Sequence, residues 1–389
     1  MLKDKRILLL ALVVYLGFTV GSYLLFTKSP LAARLSSPVP PPTTGVNGEI
    51  QFDQSLPKTE PCPLNGELYS KQQKKWWDTH RPLGIMIENH ESARPQSGID
   101  SADVVYEAVA EGGITRMLNV FYCQAPAQVG PVRSARTYFL DWISEYGDSP
   151  LYAHVGGANT DGPADALSQI DDYGWGAYND LNQFSIGFPT FWRDYNRLGH
   201  ATATEHTMYS TTDKLWKFAK ESRKLTNKGK DGTQWDEGFV PYNFKDDAAS
   251  SDRGTSQSVH LEFWQGYGAY GVDWVFDPAT NQYTRKNGGA LHVDKDTGKP
   301  LSAKTITVLY MIENHANDGY EGNVHLLYKT KGSGKAVVFM DGKQIKGTWS
   351  KDARTDRTVI KDSSGKEIEF NRGKIWFEIL PTNGVVSVK

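Results

Sequence analysis

The chain has 389 residues, 39% hydrophobic and 12% aromatic, which is the composition of a folded protein with room for two ordinary domains. Its formal net charge is -2. Residues 1–26 hold Lys3, Lys5 and Arg6 against Asp4, so the remainder carries 40 basic and 44 acidic residues. That slightly acidic body argues against nucleic acid as a partner, because proteins that track phosphate backbones carry a basic surplus.

Residues 7–26 read ILLLALVVYLGFTVGSYLLF, a stretch without charge. At about 1.5 Å per residue it matches the roughly 30 Å of bilayer hydrocarbon. Lys3, Lys5 and Arg6 precede it, so residues 1–6 are expected in the cytoplasm and residues 27–389 outside the cell. The expected location is therefore the cytoplasmic membrane, crossed once. A cleaved signal peptide is the competing reading, with small residues at Leu31-Ala32-Ala33. The apolar run is long for that. No cysteine follows it closely, which excludes lipid attachment there. Pro38 to Gly45 is proline-rich and reads as part of an extended tether over residues 27–77. Cys62 and Cys123 are too few for a disulfide framework; they either pair with each other or stand as two thiols.

Residues 78–225 alternate strand-like runs with helical patterns. Leu83 to Ile87, Val104 to Val109 and Met117 to Tyr122 are buried-strand candidates. Helices are expected over 136–146 and 212–225. An α+β or α/β domain follows. Residues 226–257 are polar and glycine-rich and read as a connecting loop. Residues 258–389 read as an all-β antiparallel domain, with hairpin chemistry at Asn287-Gly288, Asp341-Gly342 and Ser364-Gly365.

The first domain concentrates unusual loops. Glu111-Gly112-Gly113-Ile114-Thr115-Arg116 places a carboxylate and a guanidinium at the ends of a glycine turn. Gly130 to Arg136 carries Arg133 and Arg136 into a helix. Guanidinium forks suit phosphate or carboxylate. If Arg94, Arg116, Arg133, Arg136, Arg193 and Arg197 converge, with His154, they form an anion site. Glu111 or His206 is then the candidate general base. Each has a plainer reading: Glu111 and Arg116 pair across their hairpin, single arginines form structural pairs, and His90, His154 and His206 are satisfied polar residues. Ser134 lacks the nucleophile-elbow spacing. No CxxC, HExxH or EF-hand motif is present, and a divalent cation enters only as an aid to phosphate chemistry.

At Ala93 to Gly98, Glu111 to Arg116, Gly130 to Arg136 and Phe191 to Asp194, the chain resembles the YerB-like family of bacterial envelope proteins, which carry a separate C-terminal β domain. Members are typically lipoproteins, so the apolar N-terminal run is a departure that changes attachment but not location. The resemblance brings no reaction with it. The order of strand, arginine-bearing loop, strand and arginine-rich helix entry is also similar to LytR–CpsA–Psr ligases. Those enzymes grip polyprenyl pyrophosphate with arginines, but their Asp-bearing motifs are not reproduced here.

Three functions follow as expectations. The first is a membrane-anchored envelope protein binding an anionic cell-wall or lipid-linked ligand. The second is a phosphotransferase or hydrolase of such a ligand, and the third a scaffold for other envelope proteins. A carboxylate within reach of the arginines favours the enzyme; arginines dispersed into separate pairs favour the scaffold.

Overall fold

A computed structural model describes residues 12–24, 40–45, 50–255 and 257–389. The chain divides into two units, Met1–Pro42 and Thr43–Lys389. In the first, residues 12–24 are helical. Among the described residues no helix is long and apolar enough to cross a membrane. The rest of the expected 7–26 anchor lies outside the described residues, as do residues 1–6 and 27–39.

The second unit begins well before residue 78, which corrects the expected extent of the tether. Strands β1 (Lys58–Pro61) and β2 (Leu68–Ser70) form a hairpin that leads into helix α1 (Lys71–Trp77). Ser70 and Gln73 close a reciprocal capping box at the start of α1. The Cys62–Cys123 disulfide ties this hairpin to the body. So polar a stretch reads as linker because its order rests on a few buried groups, Cys62, Leu64, Tyr69 and Trp77.

The body is built on one wide sheet. From the first domain come β3 (Leu83–Glu88), β4 (Val104–Glu111) and β5 (Ile114–Phe121), then helix α2 (Thr137–Ile143) and strands β6 (Leu151–His154) and β7 (Asp180–Asn182). Residues 258–389 supply β8 (Ser258–Glu262), β9 (Val272–Asp277), β10 (Gln282–Asn287), β11 (Thr305–Met311), β12 (Gly332–Met340), β13 (Lys343–Lys351), β14 (Val359–Asp362), β15 (Ile375–Pro381) and β16 (Val385–Val388). Among the described residues the wide sheet has the order β14-β13-β12-β11-β15-β4-β5-β3-β6-β7. The expected all-antiparallel β domain is therefore corrected. β15 runs parallel to both β11 and β4, so strands from the two halves of the sequence share one sheet. A parallel pair needs a long crossover, which the β12–β14 excursion provides and short hairpin spacing cannot reveal. The remaining strands form a second, antiparallel sheet in which β8, β9, β10 and β16 are joined by short pairings at Ala290–Leu291 and Ser302–Ala303.

Side-chain alternation assigns the two faces of the wide sheet. Tyr106 stacks on Phe377 of the neighbouring strand at 4.6 Å and on Trp142 of α2 at 5.6 Å. One residue along, Glu107, Trp376 and Glu378 face the second sheet, where Trp274 packs edge-on against Trp376 at 5.2 Å. Both faces are covered, which explains why β3 to β5 read as continuous apolar runs. Residues 226–257 are packed against this body rather than loosely connecting. Trp235 and Tyr242 are buried, and Phe244–Lys245 pairs in parallel with Phe370–Asn371.

A buried polar network crosses between the sheets. Arg285 Nη2 meets Glu107 Oε2 at 2.5 Å, and Arg285 Nη1 donates to His292 Nδ1 at 2.6 Å. His292 Nε2 then donates to Gln96 Oε1 at 2.7 Å, the tautomer that its arginine partner requires. Glu378 lies beside Glu107 across the β15–β4 pair, and Trp274 Nε1 donates to its Oε1 at 2.8 Å. Burial, reinforced by Glu107, pushes the Glu378 carboxyl up to about 8. An unfolded chain releases this proton near 4.5, so the folded state holds more protons between those values and loses stability as pH rises through them. Glu378→Gln keeps the tryptophan contact and removes the charge. Its melting temperature relative to the unsubstituted protein should climb steadily from pH 5 to pH 8, and a difference independent of pH would refute the assignment.

Candidate functional site

The stretch 130–135 is laid between the carboxyl ends of the parallel strands β3 and β6. Glu88 N–H donates to Pro131 O at 3.0 Å and Arg133 N–H to Met86 O at 2.8 Å. On the other side Val155 N–H donates to Arg133 O at 3.0 Å and Ala135 N–H to Gly156 O at 2.9 Å. Carboxyl ends of parallel strands are where α/β sheets open crevices for ligands.

Glu88, the last residue of β3, is buried and bridges an arginine and a histidine. Its Oε2 sits 2.9 Å from His206 Nδ1 and its Oε1 3.3 Å from Arg133 Nε. His206 comes from a 3-10 turn at Thr204–His206, and the His90 ring stacks on it at 4.9 Å. Among the described residues, His206 Nε2 and both terminal nitrogens of Arg133 have no protein partner, and the Arg133 side chain is 30% exposed. The neighbouring Glu205 carboxyl is held below the ordinary range, first by its own backbone N–H and then by the charges of His206, Arg133 and His90.

A second charged group adjoins the first. Arg116 is the cross-strand partner of Glu88; it bonds Glu111 Oε2 at 3.1 Å and donates to Ser134 O at 3.1 Å. Arg136 contacts the other oxygen of Glu111. Burial lowers the affinity of both guanidinium groups for their protons. The turn before Arg116 is closed by the second half of the chain: a Cβ on Gly113, at φ +80, would lie 2.2 Å from the Tyr267 ring.

The structure thus gathers Arg116, Arg133, Arg136, Glu111 and His206, and it separates the other expected ligands. Arg94 donates to Asn89 Oδ1, Asn89 O and Ala269 O, and burial with the nearby Arg285 lowers its pKa to about 10. Arg197 is buried and donates through Nε to Tyr209 Oη and through Nη2 to Ala93 O and Pro95 O. Arg193 donates to Thr204 O and Thr207 Oγ1, bracing the turn that carries His206. His154 is wholly buried, with one ring nitrogen 2.6 Å from Gly156 O and the other 2.6 Å from Asp180 Oδ1. These four residues position loops; the folded backbone supplies most of their acceptors. Glu111, one of the two base candidates, is held by two arginines. Sequence reading gave Glu88 no role, although it is a single carboxylate ending a wholly buried apolar strand.

Cys62, Asp103 and Cys123 form a compact group of metal-type ligands, but its two sulfurs are joined as a disulfide. Two cavities, of about 820 and 910 Å³, are lined by residues outside the Glu88 cluster.

A wide mixed sheet completed by both halves of the chain, with a charged cluster at the carboxyl ends of its parallel strands, defines a two-part α/β protein with a strand-rich C-terminal half. The chain belongs to the family described as "Protein of unknown function (DUF3048)": its N-terminal domain model matches residues 66–226 and its C-terminal domain model residues 259–377. The chain is 29% identical over 311 residues to "Putative lipoprotein YerB" of Bacillus subtilis (strain 168), covering 79% of this chain and 83% of that protein. It also resembles the crystal structure of YerB protein from Bacillus subtilis, with a TM-score of 0.68 and 26% identity over 85% of this chain and all of that one.

Proposed function

We propose that this protein works in the cell envelope, held at the cytoplasmic membrane by its apolar N-terminal segment, and binds an anionic, lipid-linked ligand at the Glu88–Arg133–His206 cluster. The membrane anchor draws its support from residues 7–26 and the extracytoplasmic setting from the relative's name as a lipoprotein. One observation carries the ligand reading: a single buried carboxylate orients both Arg133 and His206 while the outward nitrogens of each stay unpaired among the described residues. An apolar rim lies close by. Phe184 is 75% exposed and its ring lies against Gly156, whose carbonyl accepts from Ala135 N–H. A phosphate head with an apolar chain satisfies both features.

Native mass spectrometry of the detergent-solubilised chain with undecaprenyl phosphate tests this. Hydrogen bonds to charged groups contribute about 1.5–3 kcal/mol, so Arg133→Gln should weaken retention roughly ten- to a hundredfold. Equal retention by both proteins, or by neither, rejects the site.

The Glu88–His206 pair favours a second reading, a phosphoric-ester hydrolase or transferase. A carboxylate on Nδ1 fixes the ring and leaves Nε2 to take a proton from water or a hydroxyl. His206→Gln would then abolish turnover while retaining the ligand, whereas a binding protein shows no turnover in either form.

A further inference from the structure

A cavity of about 820 Å³ lies at the seam between the first half of the chain and the turn joining β13 to β14. Its volume falls within the roughly 300–1,000 Å³ typical of small-molecule sites. Tyr173, Trp175 and Tyr178 line it together with the carboxylates Asp148, Glu237 and Asp352. Of the three basic side chains around it, two have carboxylate partners and the third, Arg354, has a neutral one. Lys351 Nζ binds Glu145 Oε1 at 2.7 Å, Arg357 Nη1 lies 2.7 Å from Glu367 Oε1, and Arg354 donates to Ser144 Oγ while stacking over Tyr173 at 4.0 Å. Glu237 and Asp352, in contrast, have no side-chain partner among the described residues. Trp175 lines the cavity and is only 6% exposed, and its indole N–H has no acceptor among the described residues.

These features select a ligand class. The two unpartnered carboxylates outnumber Arg354, the one lining cation without a carboxylate partner among the described residues, and favour a molecule rich in hydrogen-bond donors over a phosphate. Arg354 and Lys230 cover one face of these rings, so the aromatic lining offers its remaining apolar surface to a flat apolar face, and the unpartnered indole N–H calls for an acceptor on the same molecule. A sugar ring supplies all three, with hydroxyls that both donate and accept and an apolar C–H face. We infer that this seam cavity is a saccharide-binding site, separate from the Glu88 cluster and independent of what that cluster binds.

The full chain in a sugar-free zwitterionic detergent would be titrated calorimetrically with chitotetraose and with maltotetraose. Saturable binding of either is expected. Trp175→Phe keeps a ring and deletes the N–H, so it should weaken binding about 2- to 12-fold, the range for one neutral hydrogen bond. Glu237→Gln with Asp352→Asn changes only exposed groups, leaves the melting temperature in place and should weaken binding further. Arg133→Gln should leave sugar binding unchanged. No saturable binding of either sugar, or binding indifferent to both the Trp175 and the paired carboxylate substitutions, overturns the proposal.

Discussion

Arg285→Ala should lower the unfolding free energy by about 3–5 kcal/mol, the usual cost of deleting one partner of a buried ion pair. Arg285 is wholly buried, and its charge is the cation bonded to Glu107, beside which Glu378 also lies. Truncation strands Glu107 in a dry layer between two sheets and removes the guanidinium that stacks over Trp376 at 4.8 Å. Chemical denaturation gives the number directly. A double variant with Glu107→Gln should recover part of the loss, because the stranded charge goes with it. A loss below about 1 kcal/mol would mean that the layer tolerates the lone carboxylate, and it would sink this account. The effect should extend to the candidate site. His292 passes the contact to Gln96, and Gln96 Nε2 donates to Glu88 O at 2.9 Å and to Asn89 Oδ1 at 3.0 Å. Ligand retention should therefore weaken in Arg285→Ala although residue 285 touches no ligand.

Cys62→Ser with Cys123→Ser should remove about 4 kcal/mol, since the bridge closes a loop across a sequence separation of 61. The hairpin of β1 and β2 should suffer first, because without the bridge it is tied by buried Leu64 and Tyr69 and by the bonds from Gly373 N–H to Asn65 O at 2.9 Å and from Arg372 Nη1 to Gly66 O at 3.0 Å. Asp103 adds a further tie: its carboxylate accepts from Tyr122 N at 2.7 Å, Cys123 N at 2.9 Å and Asn65 Nδ2 at 3.1 Å. Burial pushes that carboxyl up to about 7 against the pull of those backbone donors. The double variant should therefore show early proteolytic cleavage within residues 50–70 while the wide sheet still melts as one transition. Equal cleavage of both proteins would show that the bridge contributes nothing to holding the hairpin.

Much of the local structure was legible. Leu83 to Ile87, Val104 to Val109 and Met117 to Tyr122 are strands because apolar side chains fill both faces of a covered sheet. Glu111-Gly112-Gly113 turns because glycine accepts positive φ, and Glu111 does pair with Arg116 across it. The site was only half legible. Arg133, Arg136, Arg116 and His206 converge, but Arg94, Arg193 and Arg197 fasten loops through carbonyls up to about 175 residues away in sequence. By the expectation set for the arginines, the result is mixed: carboxylates stand within reach of three, and the other three are dispersed.

The sequence by itself determined the strands, the turns, the family motifs and the charged residue types, because these depend on spacing, backbone freedom and side-chain chemistry within a few neighbours. Only the tertiary structure decided that β15 inserts between β11 and β4, that Cys62 meets Cys123, and that Glu88 rather than Glu111 holds the outward-facing Arg133 and His206. The reason is physical. Strand pairing and buried charge balance depend on which distant segments bury one another's surface, and a carboxylate's role follows from the cations that folding leaves beside it.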